Sequence, residues 1–299
     1  MVDRAMRGVY PILFMPFDEK GRIDVEDLQR EVEFGIQAGA HGLGVALASE
    51  MPKLSEADRD LATTTVVEQA RARVKVVINT GAAGTDLAIQ YSRRAEELGA
   101  DAVMVIPPTG VPTAQVREYY RRISDAITVP IFIQDIPSAP VPPPLAVQIA
   151  RESENACYVK VETPPTALRI AEATAIGGDD LIVFGGAGAY FYLLEELRRG
   201  SVGTMPGCAI PEVFRMAWDL FQEGKDDQAA QEFSRYIPLL KQIGQEFGGG
   251  FPLTKEVLRL RGVFKAANVR HPFAVPDDLA YREIRRLVEL LGLEAPRTT

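Results

Sequence analysis

The chain has 299 residues but only two cysteines, Cys157 and Cys208, two histidines, His41 and His271, and one tryptophan. Two thiols cannot build a disulfide framework. Each lies in an apolar stretch where a free cysteine packs as a small hydrophobe, so a reducing, cytoplasmic setting is expected. Neither histidine has a partner at ligand spacing, and no metal site is expected. No G-x-S-x-G elbow occurs, and neither cysteine has a histidine beside it in sequence, which leaves the usual nucleophile–base pairs without support. No run reaches the ~18–20 apolar residues of a membrane span. The early apolar run 9–17 holds Pro11 and Pro16 and passes straight into Asp18-Glu19-Lys20, unlike a signal peptide. Positive charge is short as well: 33 basic residues against 41 acidic give a net charge of −8, a field that repels polyanions. Neither nucleic acid nor membrane is expected as a partner.

What the sequence does contain is a repeat. Apolar runs at 8–15, 42–48, 74–80, 102–106, 131–135, 157–162, 181–184 and 202–205 are each followed by a longer segment of helical period. Alternation of this kind predicts a parallel sheet. Uninterrupted runs such as Ala102-Val-Met-Val-Ile106 imply strands covered on both faces, and eight units suggest closure into a (β/α)8 TIM barrel. Asp24 is placed to cap a helix over 25–37 and Ser55 one over 56–71, with Gly39, Gly99 and Gly177 where helices should stop. Residues 1–223 therefore read as the barrel. Residues 224–299 lack strand-like runs and read as a C-terminal helical extension of three helices. A doubly wound dinucleotide fold would need a glycine fingerprint opening the first helix, and there is none. Gly81-Ala-Ala-Gly84 and Gly185-Gly-Ala-Gly188 read as ordinary turns, Gly248-Gly-Gly250 as a mobile connection, and no cofactor is expected.

In such a barrel, chemistry belongs at the C-terminal ends of the strands. The polar residues there are Ser49, Glu50, Asn79, Thr80, Thr109, Gln134, Asp135, Lys160, Glu162 and Thr204. Lys160 stands out because the run around it is apolar, and a lysine is costly to bury without a partner or a task. Glu162, two residues on, shares its strand face. The pair reads either as a structural ion pair or as an amine able to form a Schiff base with a carbonyl beside a carboxylate able to move protons.

Several stretches then resemble the dihydrodipicolinate synthase / N-acetylneuraminate lyase family over nearly the whole chain: Pro16-Phe17-Asp18 with Gly21 and Asp24, Gly42-Leu-Gly44 leading to Ser49-Glu50, Pro130 with Ile136-Pro137-Ser138, and Lys160. The resemblance implies that Lys160 forms a Schiff base with a 2-oxo acid and that the enzyme is a homotetramer, a dimer of dimers. It departs from the synthase pattern in informative places. The glycine-threonine-threonine-glycine-glutamate run is Ala46-Leu-Ala-Ser-Glu50, the strand-five tyrosine is Gln134, the tyrosine pair after strand four is Pro108-Thr109, and the arginine that would hold a second substrate is Ala139. Gln134-Asp135, Lys160-Val-Glu162-Thr-Pro164, Gly203-Thr-Met205-x-Gly207 and His271-Pro272 look more like the branch of L-2-keto-3-deoxyarabonate dehydratases. On that resemblance Lys160 and Glu162 are the catalytic residues, and Ala48, Ser49, Gln134 and Gly203 the substrate-binding ones. An aldolase or synthase using pyruvate, and a non-catalytic 2-oxo-acid binder, remain the alternatives.

Overall fold

The computed structural model describes residues 2–244 and 250–293. Its eight strands are β1 (Gly8–Val9), β2 (Gly42–Val45), β3 (Lys75–Asn79), β4 (Ala102–Val105), β5 (Ile131–Asp135), β6 (Tyr158–Val161), β7 (Ile182–Gly185) and β8 (Gly203–Thr204). They alternate with α1 (Val25–Gln37), α2 (Glu56–Ala70), α3 (Thr85–Glu97), α4 (Thr113–Ser124), α5 (Pro143–Glu152), α6 (Thr166–Gly177), α7 (Ala189–Leu197) and α8 (Pro211–Gln222). All strand pairings are parallel, in the order β1-β8-β7-β6-β5-β4-β3-β2. Past β1 the chain pairs again at Ile12, which bridges Gly44 on one side and Gly207 on the other and closes the (β/α)8 barrel.

The expected helix starts are present: Asp24 accepts from the Asp27 amide at the head of α1, and Ser55 from the Asp58 amide at the head of α2. Two features differ from the sequence reading. The apolar run 8–15 forms only a two-residue ladder, because Pro11 has no N–H to give to a neighbouring strand. After Gln222 the described residues form four helices, α9 (Asp226–Ser234), α10 (Ile237–Ile243), α11 (Gly250–Leu260) and α12 (Asp278–Leu290), rather than three. Pro238 lies in the first turn of α10 and cannot donate to the carbonyl of Ser234, which separates α9 from α10. Gly248 and Gly249 lie outside the described residues.

Strand alternation sorts each run into two cores. Val159 and Val161 face outward, in one cluster with helix residues such as Val147 and Ile170. Tyr158 faces inward, with Tyr10, Phe132 and Phe184. Phe132 stacks on Tyr158 at 4.5 Å between ring centres, and Phe184 meets Phe132 edge-on at 5.3 Å. Such ring pairs add about 0.5–1.5 kcal/mol each beyond the area they bury. They plug the barrel on the same strand face as Lys160, so the polar residues on that face are gathered at its C-terminal end.

Neither histidine is placed for chemistry. His41 accepts from the Val9 amide at 3.1 Å and packs edge-on against Trp218, and burial lowers its proton affinity. His271 lies against Phe273. Both cysteines are buried, free thiols.

Candidate active site

At the C-terminal mouth of the barrel, Lys160 Nζ lies 2.9 Å from Glu162 Oε2, and both side chains are nearly enclosed. The same carboxylate oxygen accepts from Gln134 Nε2 at 2.9 Å. Strand register explains the meeting, since Gln134 and Lys160 are paired positions on β5 and β6. Gln134 is oriented in turn by Asn79 Nδ2, which donates to its Oε1 at 3.2 Å from the end of β3. On the other side, the Ala187 amide donates to Glu162 Oε1 at 3.2 Å from the turn after β7. Glu162 is thus held from three directions, by a cation, a side-chain amide and a backbone amide, and its carboxylate is fixed against the amine.

Of the residues expected from sequence, Lys160, Glu162 and Gln134 are brought together. Ser49 and Ala48 lie in a 3₁₀ turn, Leu47–Ser49, that follows β2. The Ser49 hydroxyl donates to the Leu13 carbonyl and accepts from the Ala46 amide, while its own amide donates to the Ala46 carbonyl. A serine has one hydroxyl donor and one amide donor. Both are taken here, the hydroxyl by Leu13 and the amide by Ala46, so Ser49 shapes the loop and offers an incoming carboxylate no free hydrogen. Gly203 pairs with Gly8 and Phe184, and a Cβ there would come 2.2 Å from the Phe184 ring. Close packing accounts for that glycine, and among the described residues no hydrogen bond joins it to Lys160 or Glu162. Asp135, another strand-end residue, is held by Arg169 at 3.0 Å, the Val141 amide and the Thr163 hydroxyl, and ties the loops after β5 and β6 together.

Two contributors were not singled out from sequence. Asn79 was one of many polar strand ends, and only the register of β3 to β5 turns it toward Gln134. The 185–188 turn lacks a dinucleotide-binding spacing and so reads from sequence as a plain connection; what marks it is three glycines around one residue whose amide must approach a carboxylate.

An amine and a carboxylate in contact at the mouth of a barrel can condense with a ketone and then move protons at the carbons beside it. Residues 5–291 match the dihydrodipicolinate synthetase family. The chain belongs to that family. It is 33% identical over 274 residues to L-2-keto-3-deoxyarabonate dehydratase of Azospirillum brasilense, covering 89% of this chain and 88% of the relative. It is 28% identical over 244 residues to 4-hydroxy-tetrahydrodipicolinate synthase of Methanococcus vannielii, covering 79% and 82%. Among solved structures, dihydrodipicolinate synthase of Rhodopseudomonas palustris superposes with a TM-score of 0.88 at 27% identity, covering 95% of this chain and 97% of that one. This family member is a lyase. Among its described residues no helix is long and apolar enough to cross a membrane.

Proposed function

We propose that the enzyme dehydrates a 2-keto-3-deoxy sugar acid, with L-2-keto-3-deoxyarabonate, named in the Azospirillum relative, as the first candidate substrate. The observation that carries this reading is the setting of Glu162: its carboxylate touches Lys160 at 2.9 Å and is surrounded by amide donors. Lys160 adds to the C2 ketone and water leaves, giving an iminium that acidifies C3. Removal of a C3 proton yields an enamine, which expels the C4 hydroxyl when a proton is delivered to it. The departing group is water, which leaves a C3=C4 double bond conjugated with the iminium; loss of a C5 proton and return of one to C3 give the C5 enol, hydrolysis of the iminium frees Lys160, and the enol tautomerises to 2,5-dioxopentanoate with the five-carbon skeleton whole. Glu162 serves as the group that takes the C3 proton and returns one to the C4 oxygen. Retro-aldol cleavage needs the opposite help, a base on the C4 hydroxyl. The tyrosines that relay protons in the synthase pattern are Gln134 and Pro108-Thr109 in this chain.

Gln134 binds the substrate alongside Glu162, the Ala48 amide receives its carboxylate, and Ser49 holds the turn that presents that amide. Gly203 contributes by leaving room for the Phe184 ring, which is paired in register with Lys160. On this reading the protein works in the cytoplasm as a homotetramer, a dimer of dimers, as the family resemblance implies, with the 2-oxo acid as its partner molecule; sedimentation velocity tests that assembly.

The test is product identity with L-2-keto-3-deoxyarabonate as substrate. A semialdehyde dehydrogenase coupled to the reaction responds to 2,5-dioxopentanoate, whereas lactate dehydrogenase responds to pyruvate. Signal in the first assay is expected. Pyruvate as the main product would replace dehydration with aldol cleavage, and pyruvate trapped on Lys160 by borohydride without turnover of any sugar acid would leave a 2-oxo-acid binder.

A further inference from the structure

The 185–188 turn is shaped by two carboxylates, and the function proposed above uses only one of them. A Cβ at Gly186 would lie 2.3 Å from Glu162 Cγ, one at Gly185 would lie 2.1 Å from Glu196 Oε2, and one at Gly188 would lie 2.6 Å from Glu196 Oε1. Only glycine permits these approaches. Ala187, inside the turn, gives its amide to Glu162. Glu196 lies on α7 and is 1% exposed. Its Oε1 accepts from Thr166 Oγ1 at 2.6 Å, while Oε2, like the nearby Thr204 Oγ1, is buried without a hydrogen-bond partner among the described residues.

No cation pairs with Glu196 among the described residues. β7 presents it with Gly185 and α6 with the hydrogen-bonded Thr166 hydroxyl, and the Thr204 hydroxyl of β8 lies near without a hydrogen bond to it. The charged groups acting on it are Glu162, at the end of β6, and Glu195 on its own helix, both anionic. Helices α9 and α10 also pack on α7 and bring no ion pair to Glu196.

We infer that Glu196 is a positioning residue for Glu162, acting through the 185–188 turn that both side chains contact. The inference rests on Glu162 being the proton-moving group. Burial, reinforced by the two neighbouring carboxylates, pushes the Glu196 carboxyl up to about 8, so it carries its proton at neutral pH. In that form Glu196 anchors the turn through Thr166 and leaves Glu162 the single anion beside Lys160. Loss of the proton puts a second buried negative charge next to Glu162 with no cation to offset it. The turn then no longer holds the Ala187 amide on Glu162, and turnover falls on the alkaline side.

Two variants and a spectrum test this. Glu196→Gln mimics the protonated acid, and is expected to keep kcat at pH 7 within about threefold while losing the alkaline fall near pH 8. Glu196→Ala removes the anchor, and is expected to lower kcat by about ten- to a hundredfold with a smaller change in KM, as small misplacements of a reacting group do. The infrared difference between the wild type and Glu196→Gln at pH 7 should show the carbonyl band of a protonated carboxylic acid, distinct from that of the buried Glu31 carboxyl and titrating away near pH 8. Wild-type kcat and pH profile in Glu196→Ala, a Glu196→Gln variant as impaired as Glu196→Ala, or no such band would each overturn the inference. Should the wild type turn over no sugar acid, the dehydratase reading fails by itself, and the infrared band with its titration still decides the state of Glu196.

Discussion

Lys160 is the one charged residue of β6, Tyr158–Val161, and Glu162 is the group that makes that placement tolerable. An ion pair this enclosed gives stability little net gain, since desolvation of both charges offsets their attraction. A purely structural pair is therefore a weak reason for the arrangement, and its position at the C-terminal end of a barrel strand favours chemistry. Replacing Glu162 with Gln keeps size and most hydrogen bonds but removes the transferable proton. Turnover should drop by about 10²–10⁴, the usual worth of a general acid–base, while pyruvate remains trappable on Lys160 by borohydride. Near wild-type turnover in that variant would reduce Glu162 to an ion-pair partner. This much was legible in the chain, because a charge in an apolar run and a carboxylate two residues on the same face need no tertiary information. Asn79 and the Ala187 amide were not, since their contacts depend on register across three strands and on a turn whose glycines are explained only by what lies against them. Nor was the engagement of Ser49, whose hydroxyl is used by Leu13, a residue from the other side of the barrel seam.

The turn after β2 shows how one element depends on another distant in sequence. Glu50 adopts a left-handed backbone, φ 55° and ψ 26°, which a non-glycine residue takes only when its surroundings impose it. Its carboxylate meets Lys255 Nζ of α11 at 2.5 Å, Lys53 Nζ at 2.9 Å and the Arg270 amide at 3.1 Å. Lys255 is fully buried, gives a second bond to the Asn268 carbonyl and lies over the Phe17 ring. Replacing Lys255 with Met leaves a buried carboxylate with Lys53 as its one cation among the described residues, and should cost about 3 kcal/mol of unfolding free energy in urea titrations. KM should rise with it, because the turn carrying Ala48 loses its clamp. Burial lowers the Lys255 amine to about 8 from its ordinary 10.5. Between those values the unfolded chain holds a proton that the native chain has released, so this group's contribution to stability increases with pH. The deficit of Lys255→Met should therefore widen from pH 8 to pH 10; a deficit that shrinks over that range would mean the amine stays charged in the fold. Helix caps at Asp24 and Ser55 could be read from sequence because capping is local. The lysine of α11 could not, as its partner lies 205 residues away.

At the scale of the molecule, composition and period were enough for a closed α/β barrel, but the division into a barrel and an appended helical region leaves out what the last helices do. One core cluster contains Val213, Phe214 and Ala217 of α8 together with Leu239 and Leu240 of α10 and Leu253 and Val257 of α11. A second joins Phe14 to Leu258 and Phe264, with Ala48 packed against it. Lys265 pairs with Asp24 and Glu26 at the head of α1, and Arg270 with Asp58 at the head of α2. The C-terminal quarter thus covers an apolar face of the barrel wall and locks the loop beside the candidate site. A chain ending after Gln222 would expose Phe214 and its neighbours and leave Glu50 without Lys255. We expect such a truncation to aggregate or to lack a cooperative unfolding transition, and to form no borohydride-trapped pyruvate adduct, because the Leu47–Ser49 turn is no longer held. A soluble truncated barrel with one sharp transition that still traps pyruvate on Lys160 would show residues 1–223 to be an independent catalytic domain, and would confine the C-terminal helices to a role outside the site.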